Sequence, residues 1–180
     1  MRTAYIALGA NLPSWAGPPA ATLGAAAQRL EEFGQLAARS SLFSTEPVGF
    51  AEQPRFVNAV VALETALGPH DLLKELLAIE KDFGRDRLNG IPNGPRTLDL
   101  DILLMDDLEI HEAGLELPHP RLHERAFVLV PLREIAPELR IVGRGRTVAE
   151  LLQALHRSRT GEANAVVRLE NDQWPAAAQS

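Results

Sequence analysis

The 180-residue sequence contains no cysteine and very little lysine. Without thiols the chain has no disulfide, no thiolate metal site and no cysteine nucleophile. The absence of disulfides fits a reducing compartment, so we expect a cytoplasmic protein. Because Lys74 and Lys81 are the only lysines, arginine must provide any positively charged binding site.

Long apolar runs are also missing. None reaches the roughly 18 to 20 residues that a membrane-spanning helix needs, so we expect no membrane partner. The formal net charge of −6 argues against nucleic acid as a partner. The arginines are nevertheless concentrated, with Arg85, Arg87 and Arg96 close together and Arg125 further on. A local basic patch on an acidic protein suits a small anionic ligand.

The usual nucleotide-binding signatures do not occur. The sequence has neither the G-x-x-x-x-G-K-[ST] loop nor the G-x-G-x-x-G fingerprint. Any nucleotide must therefore bind without a P-loop, and arginine must replace the lysine of that motif.

The hydrophobic pattern predicts the order β-α-β-β-α-β over the first 105 residues. This is the ferredoxin-like order, in which an antiparallel sheet carries its helices on one face. We predict a single α+β domain over residues 1–160, with a C-terminal strand and a frayed tail over 161–180. The predicted strands are 5–8, 36–45, 56–67, 98–105 and 165–169. The predicted helices are one that follows Pro19 and is closed by Gly34, then 69–83, 131–135 and one after a capping box at 147–150.

Two carboxylates stand out in the fourth predicted strand. Residues two apart on a strand share a face, so Asp99 and Asp101 lie together, and we expect the aliphatic Leu98, Leu100, Ile102 and Leu104 on the opposite face. Adjacent carboxylates repel one another, and a divalent cation resolves that conflict. Magnesium usually takes one or two carboxylates and completes its shell with water and phosphates. The alternative is a solvated strand face on which each aspartate pairs with an arginine.

The neighbouring segment favours the metal interpretation. Arg85, Arg87 and Arg96 belong to a polar loop over residues 85–96, hereafter the arginine loop, directly before the strand. Arginine matches phosphate oxygens in a bidentate manner. Two acids for metal and three arginines for phosphate are the equipment of phosphoryl-type transfer, in which two metal ions about 3.5 to 4 Å apart can clamp the reacting oxygens.

At these residues the chain resembles the 6-hydroxymethyl-7,8-dihydropterin pyrophosphokinase family of folate biosynthesis. The resemblance covers about residues 3–140 and consists of several motifs in one order. Those motifs are Ala4–Leu12, Thr45–Pro47, Gln53–Ala59, Gly84–Arg87, Gly94–Leu104, Pro118–Arg121 and Arg125–Phe127.

The resemblance implies a ferredoxin-like fold and transfer of the terminal diphosphate of ATP to the pterin hydroxymethyl group, leaving AMP. It implies that Asp99 and Asp101 hold two magnesium ions with ATP. The implied catalytic set is Arg85, Arg96, Asp99 and Asp101, and the implied ATP-binding set is Glu80, Arg85, Arg87, Arg96, His119 and Arg125. The implied pterin-binding residues are Thr45, Val48, Phe56, Asn58 and Phe127. We expect a monomer.

The individual residues also have simpler interpretations. Phe56 and Phe127 are equally suited to a hydrophobic core, and His119 between two prolines to an ordinary loop. Asn58 is harder to explain structurally, because it interrupts an apolar strand, and its amide offers both a donor and an acceptor to a pterin ring. Gly9 and Asn11 are consistent with turn chemistry alone.

Three positions depart from the family pattern. Asn93 stands where the family often has an aromatic residue, Phe56 where it has tyrosine, and Ala10 where serine is common. These differences concern substrate affinity and loop closure. They leave the carboxylates and the arginines unchanged.

Two other functions remain open at this point. Nucleotidyltransferases also use paired aspartates on a strand, but with a Gly-Ser helix start before the pair, which Gly-Pro-Arg-Thr at 94–97 does not provide. A non-catalytic ligand-binding domain of the same fold is the other alternative, and fold alone does not exclude it.

Overall fold

The structure is a computed structural model that describes residues 1–49, 52–158, 166–170 and Trp174. Its centre is a six-stranded antiparallel sheet with the order β10-β3-β4-β1-β5, in which β2 also pairs with β4. The strands of this sheet are β1 (Arg2–Ala10), β2 (Gln35–Arg39), β3 (Phe43–Thr45), β4 (Phe56–Thr65), β5 (Asp99–Met105) and β10 (Val166–Arg168). The α+β class is confirmed, and the predicted β-α-β-β-α-β order holds except that the strand predicted over 36–45 forms two strands, β2 and β3.

Helices cover both faces of the sheet. Helices α1 (Pro19–Leu30) and α2 (Pro69–Asp82) contribute to one hydrophobic cluster, and α3 (Ala126–Ile135) and α4 (Val148–Ser158) to another. The expectation of helices on one face holds for α1 and α2, the two helices of the β-α-β-β-α-β unit, whereas α3 and α4, which follow that unit, cover the other face. The reason lies in the central strands, because Val61 belongs to the first cluster and its neighbour Val60 to the second. Both faces of β4 are apolar, and each must be covered.

Several element boundaries differ from the prediction. The single strand expected over 36–45 is divided into β2 and β3, and the strand expected to reach Leu67 ends at Thr65. The expected short helix at 131–135 begins five residues earlier, so that Pro131 lies inside α3. Proline costs that helix a hydrogen bond, but the buried Val128, Leu129 and Leu132 hold it against the sheet.

Three short elements were not predicted from the sequence. A hairpin of β6 (Ile110–Glu112) and β7 (Leu115–Leu117) and a hairpin of β8 (Arg140–Ile141) and β9 (Arg146–Thr147) lie outside the main sheet. A single 3-10 turn, Leu122–Glu124, precedes α3. Each is too short to give a recognisable hydrophobic period.

The C-terminal part follows the prediction where the structure describes it. Thr147 and Glu150 form the expected capping box: the Thr147 N–H donates to Glu150 Oε2 at 2.8 Å, and the Glu150 N–H donates to Thr147 Oγ1 at 3.2 Å. The last strand, β10, pairs with β3 and lies at the edge of the sheet. The predicted frayed tail begins at Trp174, but this side chain packs against the first hydrophobic cluster, with the Arg39 guanidinium carbon 5.8 Å from its ring centroid. The rest of the tail, 175–180, lies outside the described residues, and the predicted division at residue 160 stays a prediction.

A bulge changes the facing of one predicted core residue. The register between β1 and β5 shifts at Tyr5 and Ile6, which places Leu104 in the same cluster as Leu103. The alternation expected over the whole strand therefore holds only as far as Leu103. In the part of the chain that the structure describes, no helix is long and apolar enough to cross a membrane.

Candidate active site

The two aspartates of β5 lie beside the smallest residues of the neighbouring strand β1. Asp99 is opposite Gly9 on β1, and Asp101 is opposite Ala7. Both side chains are half-buried, while Leu98, Leu100 and Ile102, which alternate with them along the chain, are buried in the core on the opposite face. The two carboxylates therefore share one face, as the two-residue period predicts.

Three arginines surround Asp99. Arg96 Nη1 is 2.9 Å from Asp99 Oδ2, and Nη2 atoms of Arg85 and Arg87 are 3.7 and 3.8 Å from Asp99 Oδ1. Asp99 thus makes the ion pair that the solvated-face alternative expects. Asp101 does not, since none of the ion pairs among the described residues involves it. The cluster is unevenly neutralised, with three cations on one carboxylate.

The environment of Asp101 fits a divalent cation. Burial, and then the charge of Asp99, raise the pKa of Asp101 to about 6. A divalent cation bound between Asp99 and Asp101 would stabilise the ionised forms of both carboxylates. Among the described residues no group of three or more His, Cys, Asp or Glu side chains is arranged to hold a metal. Two carboxylates alone match magnesium, which takes most of its other ligands from water and phosphate.

The arginine donors are only partly used. Arg85 Nη1 and Arg96 Nε are buried and have no hydrogen-bond partner among the described residues. Burial is also the main influence on Arg85, and it lowers the pKa of that guanidinium. Buried donors without acceptors are costly, so a bound anion would relieve the penalty.

Glu80 connects α2 to both the arginine loop and β5. Its carboxylate accepts hydrogen bonds from Arg87 Nε and Nη2, both at 2.8 Å, and from the Leu100 N–H at 2.8 Å. Glu80 is only 1% exposed, and burial raises its pKa despite these bonds. Both oxygens are thus engaged within the protein, which holds Arg87 beside Asp99. A direct contact with ATP stays a prediction.

His119 and Arg125 approach the carboxylates from the segment after β7. Burial, and then Arg125 and Arg121, lower the pKa of His119 to about 4, so the ring is neutral at pH 7. Its Nδ1 accepts a hydrogen bond from the Arg121 N–H at 3.1 Å, which leaves the ring proton on Nε2. Arg125 immediately precedes α3, and burial lowers its pKa. The ring therefore offers an uncharged donor beside a cation.

Three of the five residues expected to bind a pterin, Thr45, Phe56 and Asn58, lie on β3 and β4. Asn58 pairs with Gly9, which in turn pairs with Asp99. Asn58 Nδ2 donates to Thr45 Oγ1 at 2.6 Å, and both residues are buried. Phe56 lies beneath Arg96, with the guanidinium carbon 5.0 Å from the ring centroid. The structure thus brings the predicted pterin residues next to the predicted phosphate residues.

The remaining two predicted pterin residues are placed less uniformly. Phe127 is the second residue of α3, and the Arg125 guanidinium carbon lies 5.6 Å from the centroid of its ring. Phe127 is half-buried against the second cluster, so the core interpretation of this ring is partly correct. Val48 is 61% exposed in the loop after β3. Packing in the hydrophobic core therefore does not explain why this position carries an apolar side chain.

Two residues that sequence reasoning left out connect the loops around the site. Asn11 is buried; its Oδ1 accepts from the Arg96 N–H at 2.8 Å, and its Nδ2 donates to Gln53 Oε1 and to the Pro54 carbonyl, each at 3.0 Å. Gln53 Nε2 then donates to the Asn93 carbonyl at 2.8 Å. Their position in two quoted motifs was the available signal, but turn chemistry explained Asn11 equally well.

The arginine loop encloses a cavity of about 370 Å³ together with Leu12. Within it Asp86 accepts hydrogen bonds from the N–H groups of Leu88 and Asn89, which folds the chain back on itself. Asn93 has a φ of 57°, a conformation that asparagine tolerates better than most residues. An asparagine at this position therefore suits the backbone turn that carries the loop back towards Arg96.

Comparison with known proteins gives a consistent result. The family model described as 7,8-dihydro-6-hydroxymethylpterin-pyrophosphokinase matches residues 5–137. The 2-amino-4-hydroxy-6-hydroxymethyldihydropteridine pyrophosphokinase of Pseudomonas aeruginosa is 46% identical over 152 residues, covering 83% of this chain and 90% of that protein. A folate synthesis bifunctional protein of Arabidopsis thaliana is 51% identical over 96 residues, covering 53% of this chain and 17% of that protein.

Solved structures support the fold independently of close sequence similarity. A Plasmodium falciparum HPPK-DHPS structure superposes with a TM-score of 0.70 at 15% identity, and covers 93% of this chain. The chain spans about half the length of that protein, 46%, so the likeness concerns one part of it. From the family match and the Pseudomonas relative, the chain belongs to the 7,8-dihydro-6-hydroxymethylpterin-pyrophosphokinase family and is a pyrophosphokinase of folate synthesis.

Proposed function

We propose that the cleft over β4, β1 and β5 transfers the terminal diphosphate of ATP to the hydroxymethyl group of 6-hydroxymethyl-7,8-dihydropterin. The hydroxyl oxygen bonds to the β-phosphorus, the bond from that phosphorus to the α,β-bridging oxygen breaks, and AMP leaves. The hydroxyl proton is released to solvent water, so that pterin diphosphate, AMP and one proton account for all the atoms of the two substrates. The observation that carries the proposal is the cluster of Arg85, Arg87 and Arg96 around Asp99, on the face that also presents Asn58.

Asp99 and Asp101 are the residues that would hold two magnesium ions together with the phosphates. When bound, these ions neutralise phosphate charge and polarise the attacking hydroxyl. The raised pKa of Asp101 and its lack of an ion pair among the described residues favour this assignment. Asp99 contributes from the arginine side of the pair.

Arg85 and Arg96 are assigned to the phosphate oxygens because each has a buried donor without a partner among the described residues. Arg87 is held by Glu80 and adds positive charge from the loop side. His119 can donate from Nε2 without carrying charge, and Arg125 supplies a cation next to it. Fixed donors and cations of this kind act by positioning the triphosphate and stabilising its developing charge.

The pterin is assigned to the β3–β4 side of the face. Adjacent strands lie about 4.8 Å apart, so Asn58 and Asp99, which flank β1, stand roughly 10 Å apart. That separation suits a bicyclic ring whose hydroxymethyl arm points towards the phosphates. Phe56 and Phe127 supply apolar faces, Asn58 a polar edge fixed by Thr45, and Val48 an exposed cover.

The arginine loop is proposed to be mobile in the empty enzyme and to close over ATP. Its two Asn-Gly pairs, at 89–90 and 93–94, give the backbone freedom. Closure would bring Arg85 and Arg87 inward and exclude water from the reacting groups. Amide exchange in residues 85–96 should slow when magnesium and a non-hydrolysable ATP analogue are added, and unchanged exchange would discard the closure.

Product identity tests the function as a whole. The protein is incubated with magnesium, ATP and 6-hydroxymethyl-7,8-dihydropterin, and the nucleotide products are separated. AMP formed in proportion to pterin diphosphate is the expected result. ADP would mean transfer of a single phosphate, and inorganic pyrophosphate with a nucleotidylated product would favour the nucleotidyltransferase. No turnover by folded protein would favour the binding domain.

The proposal includes a monomeric, cytoplasmic enzyme without nucleic-acid or membrane partners. The net charge of −6 supports the absence of nucleic acid as a ligand. Size-exclusion chromatography with light scattering should give the mass of one chain, 19.6 kDa. A mass of twice that value would replace the monomer with a dimer.

A further inference from the structure

Gly9 occupies the point where the two halves of the proposed site meet. On β1 it pairs with Asn58 of β4 on one side and with Asp99 of β5 on the other. Its φ does not lie in the left-handed region, so the backbone conformation does not require glycine. A different constraint must act here if glycine is needed.

That constraint is the side chain of Asn58. A Cβ atom built on Gly9 would lie 2.8 Å from Asn58 Oδ1, closer than Cβ atoms approach other heavy atoms in proteins. The next nearest atom is Asn58 Cγ at 3.9 Å, so the carboxamide oxygen alone fills the space above the glycine. Any larger residue on β1 would have to displace this oxygen.

The carboxamide has little freedom to move away. Asn58 Nδ2 donates to Thr45 Oγ1 at 2.6 Å, and Thr45 is itself only 2% exposed. On the β3 side, the hydrogen bond to Thr45 holds the Asn58 carboxamide. On the β1 side, the carboxamide oxygen fits because Gly9 has no side chain. Rotation that relieves a clash with residue 9 would break the bond to Thr45.

We infer that Gly9 is a positioning residue for the pterin, acting through the orientation of the Asn58 carboxamide. This rests on the proposed function, in which Asn58 contacts the pterin ring. Gly9 itself touches no reacting atom in this account. Its role is to let Asn58 point its oxygen over β1 while Thr45 holds the nitrogen.

Gly9→Ala tests the inference, with pterin and nucleotide affinities measured separately by calorimetry. The dissociation constant for the pterin should rise by about tenfold or more, because a positioned hydrogen-bonding group is displaced. The dissociation constant for a magnesium–ATP analogue should change by less than about twofold, since Asn58 does not serve the nucleotide. Unchanged pterin affinity would overturn the inference, as would an equal loss for both ligands.

A double-mutant cycle separates action through Asn58 from a direct effect. In an Asn58→Ala background there is no carboxamide to displace, so adding Gly9→Ala should weaken pterin binding little further. Additive losses would overturn the inference. If Gly9→Ala alone does not fold, the double variant should fold again because the clash is gone, and a double variant that stays unfolded would contradict the account.

Gly68→Ala is the matched control. Gly68 precedes α2 with a φ of −72°, and no atom lies within 4 Å of a Cβ built there. Pterin affinity should be unchanged in this variant. Asn58→Ala alone separates the proposed pterin pocket from the role of Gly9. If Asn58→Ala leaves pterin affinity unchanged, the pocket and the inference fail together. If Asn58→Ala weakens pterin binding and Gly9→Ala does not, only the inference is discarded.

Discussion

Arg96 Nη1 lies 2.9 Å from Asp99 Oδ2, so an arginine assigned to phosphate is ion-paired with an aspartate assigned to metal. Without ligands each residue partly neutralises the other. Binding of magnesium and ATP would exchange this single pair for two others, aspartate with metal and arginine with phosphate. The positive and negative side chains of the empty site therefore neutralise one another, so that little net charge remains to repel magnesium or ATP.

Removing the Asp99 charge should have opposite effects on catalysis and on anion binding. Asp99→Asn is expected to slow magnesium-dependent turnover by about a hundredfold or more, since a ligand charge is lost. It should also tighten binding of metal-free ATP, because Arg85 and Arg96 lose their ion-pair partner and Arg87, which Glu80 still holds, loses a second nearby anion. Calorimetry in EDTA measures the second effect, with Asp107→Asn in the turn after β5 as control. Weaker metal-free binding would contradict this electrostatic account.

The buried carboxylate of Glu80 should contribute to the stability of the fold as well as to catalysis. Glu80→Gln retains an acceptor for the Leu100 N–H but loses the charge that holds Arg87. We expect the free energy of unfolding to fall by about 1 to 3 kcal/mol and kcat to fall as Arg87 loses its position. Urea denaturation and steady-state kinetics measure the two effects.

Glu75→Gln on the same helix is the control for this variant. Glu75 has no ion pair among the described residues, so its stability and kcat should remain those of the parent protein. Equal effects at both positions would mean that helix charge, and not the Arg87 contact, explains the loss.

The bridge from Arg96 through Asn11 and Gln53 to Asn93 should restrain the arginine loop. Asn11→Ala removes the acceptor for the Arg96 N–H and the donor to Gln53. Amide exchange over residues 85–96 is expected to become faster and kcat/KM to fall by about 10- to 100-fold, a cost of about one to two buried hydrogen bonds. Exchange rates equal to those of the parent protein would show that these bonds do not restrain the loop.

The pH dependence of stability should contain a contribution from His119. Its pKa of about 4 in the folded protein lies below the 6.5 of an unperturbed histidine, so the fold favours the neutral ring. This contribution is present above pH 6.5 and is lost as pH falls towards 4, because the unfolded chain takes up the proton first. His119→Gln should therefore flatten the stability profile between pH 4 and 6.5, by about 1 to 3 kcal/mol.

His156→Gln is the control for the titration, since it replaces a histidine on an exposed position of α4. Its stability profile should follow that of the parent protein. If the His119→Gln profile also follows the parent, His119 does not carry the low pKa in the folded protein.

Local sequence patterns were sufficient to predict the part of the site that β5 and the arginine loop form. The two-residue period placed Asp99 and Asp101 on one face, and Arg96 is close to Asp99 because the two are only three positions apart in the chain. The order of elements followed from hydrophobic periods and from breakers such as Gly68 and Gly84. These features depend on contacts within a short stretch of chain.

Features that depend on distant contacts were not predictable in the same way. The hydrogen bond from Asn11 to Gln53 joins loops 42 residues apart, and Gly9 resembles an ordinary turn glycine until Asn58 is placed beside it. The bulge that turns Leu104 to the second face comes from the pairing of two strands. Sheet register determines all of these, and a single strand carries no information about its partner's register.

The central claim is that Asp101 and its neighbours form the centre of diphosphate transfer. Its most direct test is the single-turnover rate of AMP formation in Asp101→Asn, compared with Asp107→Asn, at saturating magnesium, ATP and pterin. We predict a decrease of about a hundred- to a thousandfold for Asp101→Asn and the parent rate for Asp107→Asn. A folded Asp101→Asn protein that forms AMP at the parent rate would contradict the account.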